Sequence, residues 1–113
     1  MSRLVTTVLP APGPRVSVSL LHELELDDGR RVLLLDDRGF GSTASWSQVT
    51  RADVEHDART CVGPDEPFGD RTADDMARDH WAELAARAGV PAPELAALPH
   101  DVELHPDVEA RLG

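Results

Sequence analysis

Arg15–Asp37, which reads RVSVSLLHELELDDGRRVLLLDD, decides how this chain folds. Val16, Val18, Leu20, Leu24 and Leu26 share one parity, while Arg15, Ser17, Ser19, Glu23, Glu25 and Asp27 share the other. A side-chain period of two belongs to a strand with one face on a core and one toward water. Leu21 interrupts the polar face, and His22 is the polar residue set into the apolar parity. Asp28-Gly29 predicts a two-residue hairpin turn of type I′, whose central positions both need positive φ. With that turn Leu24 faces Leu33, and His22 faces Leu35. The returning segment, Arg31 to Asp36, is apolar on both parities, which predicts a central strand covered on both sides. A second turn is expected at Asp37-Arg38-Gly39, with Phe40 to Trp46 either a third strand or a loop.

Upstream, Leu4 to Leu9 is short and β-branched enough for a strand. The stiff connector Pro10-Ala11-Pro12-Gly13-Pro14 ends it, since it continues neither a ladder nor a helix. Downstream the period changes to that of helices. Thr50 with Asp53 three residues on forms a capping box, and Val49 with Val54 a hydrophobic staple. Such a cap hydroxyl is worth about 1 kcal/mol. Val54, Ala58, Cys61 and Val62 make the apolar face of this first helix, and Gly63-Pro64 stops it. Thr72 caps a second helix whose first turn carries Asp74 and Asp75, where negative charge meets unpaired N–H groups. Its buried stripe runs through Ala73, Ala77, His80, Trp81, Leu84 and Ala88, and Gly89 fits the left-handed C-terminal position. In the tail, Pro93–Leu98 suits a two-turn helix, His100–His105 an edge strand, and Pro106–Leu112 a short helix. The expected fold is α+β over residues 1–113 as one globular domain: a small antiparallel sheet packed by two main helices and a short helical tail.

The chain has 113 residues, 41% hydrophobic and 28% charged, which suits a globular domain. It contains no lysine, isoleucine, asparagine or tyrosine, the pattern of GC-rich coding found in many bacteria. Net charge is −10. Residues 1–35 balance, with four arginines against four acids, so the whole excess lies after Leu35. Such a chain repels a phosphate backbone and an anionic lipid surface, which argues against nucleic-acid and membrane partners and favours a basic protein. The single cysteine, Cys61, excludes an internal disulfide, and the short mixed stretch Leu4–Leu9 is no secretory signal. A cytoplasmic location is expected.

No phosphate loop, dinucleotide fingerprint or nucleophile elbow is present. Asp53, His56 and Asp57 share a helix face at metal-ligand spacing, with a partial echo in Asp75, Asp79 and His80. The first set points away from the apolar stripe and reads as a solvated acidic face, so no metal and no cofactor is expected. Cys61 and His56, five apart, fall on different faces, and Cys61 reads as a small hydrophobe. No catalytic residue is assigned.

Three of the four aromatic residues, Phe40, Trp46 and Phe68, fall in segments read as loops, where a large apolar side chain is either tucked under the domain or an anchor for a partner. The loop Gly63–Gly69 is stiffened by Pro64 and Pro67 and acidified by Asp65 and Glu66. Phe40, Trp46, Phe68, Asp65 and Glu66 are therefore the candidate partner-binding residues. The leading expectation is a non-enzymatic interaction module, an inhibitor, immunity-type protein or accessory subunit, acting on a basic protein. The alternative is a small enzyme or ligand-binding domain with a histidine–carboxylate pocket between sheet and helices. Convergence of His22, His80 and a carboxylate would favour that alternative. His22 is the candidate functional histidine: buried, its pKa falls, whereas an acid such as Asp75 or Asp79 reaching it would raise it.

Overall fold

The structure is a computed structural model, and it describes residues 2–112. Four strands and four helices follow one another as β1 (Arg3–Pro10), β2 (Arg15–Glu25), β3 (Arg31–Ser45), α1 (Arg51–Cys61), α2 (Ala73–Ala88), α3 (Ala92–Ala96), β4 (His100–Leu104) and α4 (Pro106–Arg111). The α+β class expected from the sequence holds. The sheet order is β3-β2-β1-β4. β1 pairs antiparallel with β2 but parallel with β4, so the sheet is mixed rather than wholly antiparallel. The tail strand arrives from α3 beside β1 and runs in the same direction, held at its ends by Leu4 N–H to Pro99 O (2.8 Å) and His105 N–H to Val8 O (3.0 Å).

The hairpin departs from the expected turn in an instructive way. Gly29 has φ +88°, and among the described residues only glycines have positive φ, which excludes type I′ at Asp28-Gly29. Gly29 N–H instead bonds Leu26 O and Leu26 N–H bonds Arg30 O, a three-residue loop closed by the glycine. The extra loop residue shifts the ladder by one, so Leu24 faces Val32, not Leu33. A bulge at Leu34 then shifts it back, and His22 faces Leu35 as the parity reading expected. The bulge buries two consecutive leucines, Leu34 and Leu35, in the core.

That bulge also explains why Arg31–Asp36 is not a central strand. With both leucines turned to one side, the run needs no cover on the other. β3 lies at the sheet edge, and Leu33 on its outer face is 47% exposed. The turn expected at Asp37-Arg38-Gly39 is absent: β3 continues without a break to Ser45, so Phe40 stands in a strand. Gly39 permits this, because a Cβ there would lie 2.6 Å from Val18 O on β2. Trp46 enters a single 3₁₀ turn and is buried, with the Arg111 guanidinium 5.9 Å from its ring centroid.

The helices cover one face of the sheet. Leu4, Val8, Val16, Val18, Leu20 and Leu24 meet Val54, Ala58, Leu84, Leu95 and Val108 there. The expected capping box of Thr50 with Asp53 forms, Thr72 makes another with Asp75, and Gly89 ends α2 at φ +70° with its N–H on Ala85 O. On the open face, Arg3 pairs with Glu25 (3.0 Å) and Asp101 (2.9 Å), and Arg31 with Glu25 (2.8 Å) and Glu103 (3.0 Å). This lattice draws charge from all four strands. Among the described residues no helix is long and apolar enough to cross a membrane.

Candidate functional site

The histidine set into the apolar parity of β2 leads to the site. His22 is 2% exposed and lies opposite Thr6 of β1. Thr6 Oγ1 is 2.8 Å from His22 Nδ1 and 2.7 Å from His100 Nε2. His100 opens β4 in register with Leu4, which brings its ring edge-on to His22 with centroids 5.1 Å apart. His80 comes from the buried stripe of α2, edge-on to Trp81 at 5.2 Å. Leu4, His22, Arg59, Val62, Gly63, His80, Trp81 and His100 together line a cavity of about 100 Å³ between the sheet and the first two helices.

The pKa of each of the three imidazoles is lowered, which favours the neutral ring. Burial pushes His22 down to about 3, helped by the nearby His100, His80 and Arg38. Burial and then Arg38 lower His80, with Asp65 and Glu83 opposing. Burial and then Arg59 lower His100, with Asp101 opposing. Asp75 and Asp79 are engaged elsewhere, in the α2 cap with Arg78 and in a pair with Arg71. Among the described residues no carboxylate lines the cavity, so His22 and His80 converge as the ligand-site alternative requires, but without its carboxylate.

The linkage through Thr6 constrains where protons sit. The hydroxyl has one proton, so satisfying all three groups makes it donate to one ring and accept an N–H from the other. The remaining nitrogens, His22 Nε2 and His100 Nδ1, then have opposite character, one N–H and one lone pair. One added proton fits this chain with every hydrogen bond kept; a second would set two N–H donors against one oxygen.

The sequence-predicted partner residues are dispersed. Trp46 is core. Phe40 is half-buried in the floor of a separate groove of about 300 Å³, with Val16, Gly41, Ser42 and Val49, and with Asp53, His56 and Asp57 beside them. The helix face read as solvated is thus exposed, yet it lines a groove. Phe68 is 64% exposed. Its loop is pinned at one end by Arg38, which donates to Cys61 O (2.9 Å) and pairs with Asp65 (3.4 Å). At the other end the turn Arg71 N–H to Phe68 O (3.0 Å) leads into the Thr72 cap. Glu66 lies exposed between them. Cys61 is half-buried and its thiol donates to Gly39 O (3.3 Å).

Among the described residues no three histidine, cysteine or acidic side chains are placed to share a metal ion. Sequence reasoning did not bring His100, Thr6 or Arg59 to this site; His100 stood out there only beside Asp101 and His105 in the tail. The signal for His100 was available, because it shares the parity of Val102 and Leu104. No family model, curated protein or solved structure matches the chain.

Proposed function

We propose that this protein is an acidic cytoplasmic interaction module, an inhibitor or accessory subunit for a basic protein, and binds neither nucleic acid nor membrane. The observation that carries this reading is Phe68: a large aromatic side chain 64% exposed on a loop flanked by Asp65, Glu66 and Asp70. A phenyl ring 64% exposed buries little apolar area in the isolated fold, and an aromatic side chain with a charged rim suits the centre of an interface. The loop is fastened by Arg38 and the Thr72 cap, so little ordering entropy is lost on docking. The −10 net charge would speed encounter with a positive partner and slow it with a negative one.

The test is capture from the source cell on immobilised protein, comparing wild type with Phe68→Ala. A basic partner retained by the wild type, released as salt rises and lost with Phe68→Ala is the expected result. Truncating a central aromatic anchor typically costs about 2 kcal/mol or more of binding. An acidic partner, or equal capture by Phe68→Ala, would overturn the reading. A second reading, a small ligand-binding domain, draws support from the meeting of His22, His80 and His100 in one cavity.

A further inference from the structure

The three-histidine cavity has features that specify what could enter it. Its polar groups are imidazoles and one guanidinium, with no acid among the described lining residues. A second guanidinium, that of Arg38, is fixed beside it by Cys61 O and Asp65. In a chain of net charge −10 the lining itself carries one arginine and no acid, while the acids around it are balanced in part by Arg38. The groups that face the imidazoles are Arg38, Asp65 and Glu83 around His80, Arg59 and Asp101 around His100, and the other two histidines with Arg38 around His22. A cation would meet two arginines there and no lining carboxylate. An anion would meet N–H donors: one from the His22–Thr6–His100 chain, one from His80 and those of Arg59.

We infer that the cavity walled by His22, His80, His100 and Arg59 binds a small monocarboxylate, taken up together with one proton. The inference rests on the ligand-binding reading of the cavity and is independent of the Phe68 surface. Size and walls select the ligand. About 100 Å³ admits only a few heavy atoms, and Leu4, Val62 and Trp81 offer apolar contact to a short carbon skeleton. The carboxylate oxygens accept from Arg59 and from the imidazoles. The added proton comes from solvent and rests on the His22–Thr6–His100 chain, which accommodates one without losing a hydrogen bond. The site charge is balanced, with one anion and one proton entering together.

The protein carries its own controls, because His56 on α1 and His105 before α4 lie outside the cavity. Histidine ring resonances are followed while acetate, its neutral isostere acetamide, or inorganic phosphate is added at ionic strength held constant with chloride. Acetate should shift the His22, His80 and His100 signals saturably and leave His56 and His105 unmoved, with a Kd on the order of 1 mM. Lowering the pH should tighten acetate binding by up to about tenfold per unit, the limit for uptake of one proton. Arg59→Gln, an exposed position whose folding is checked by the amide spectrum, should weaken acetate by about tenfold, the loss of one charge-assisted contact. Acetamide binding as well as acetate would overturn the anion, and phosphate binding in place of acetate would overturn the carboxylate; either leaves the ligand-binding reading standing. Tighter acetate binding as the pH rises would overturn the proton uptake. If none of the three probes moves the cavity histidines more than His56 and His105 at about a hundred times that Kd, the inference and the ligand-binding reading fall together.

Discussion

At the scale of single residues, burying His22 couples stability to pH. In the unfolded chain a histidine titrates near pH 6.5, whereas in the fold His22 is lowered to about 3, chiefly by desolvation. Between those values the unfolded chain binds more protons than the folded one. The stability owed to the neutral ring is therefore complete above about pH 6.5 and drains away as the pH falls toward 3. His80 and His100 are lowered too, so they act in the same direction. His22→Leu should flatten part of this dependence, since one such group contributes a slope of at most about 1.4 kcal/mol per pH unit. Near neutral pH the replacement should cost little, because Thr6 keeps its bond to His100 and leucine keeps the apolar parity of β2. Urea unfolding of both proteins at intervals from about pH 4 to 7.5 measures it. Parallel curves would show that His22 is not a source of the acid sensitivity.

At the scale of elements, what was legible followed from local chemistry, and what was not followed from non-local pairing. The α1 and α2 boundaries were readable because Thr50, Asp53, Thr72, Asp75 and Gly89 act within one turn of their own backbone. The burial of His22 was readable because parity is a property of one strand. The hairpin register was not: Asp28-Gly29 suits two loop lengths, and the bulge at Leu34 that restores the His22–Leu35 pair is decided by which leucines reach the core. Of the site, the parity of β2 and the stripe of α2 showed His22 and His80. Thr6 joins His22 through β1–β2 pairing and His100 joins both only through β1–β4 pairing across most of the chain; which strands pair is something periodicity does not encode. The continuation of β3 past Gly39 was hidden for a similar reason. Glycine in a strand reads as a turn until its neighbour's carbonyl is seen 2.6 Å from where a Cβ would stand. Gly39→Ala should therefore force β2 and β3 apart there and destabilise by about 1–3 kcal/mol, the usual cost of overpacking. Thermal and denaturant midpoints check this, and an unchanged midpoint would mean the strands can give way at no cost.

For the whole molecule, the decisive contact is between β1 and β4. β1 is an interior strand only because β4 lies against it, so residues 100–112 complete a sheet begun by Arg3–Pro10. They also bring Leu104 and Val108 into the core, His100 to Thr6, and Asp101 and Glu103 to the arginine lattice on the open face. Ending the chain at Pro99 would strip all of this at once. Losing two buried aliphatic side chains alone removes about 3–6 kcal/mol. The β1 ladder bonds to β4 go as well, and an edge is exposed beside the fully buried Val5 and Val8. Against a total stability of about 5–15 kcal/mol for a domain of this kind, that loss is most or all of the folding free energy. We predict that residues 1–99 do not fold cooperatively, and that adding residues 100–113 as a separate peptide restores little, because the covalent link supplies their effective concentration. Far-ultraviolet circular dichroism through a thermal ramp decides it. A sigmoidal transition in the truncated chain within a few degrees of the full chain's would show that the sheet stands without its C-terminal strand, contrary to one folding unit.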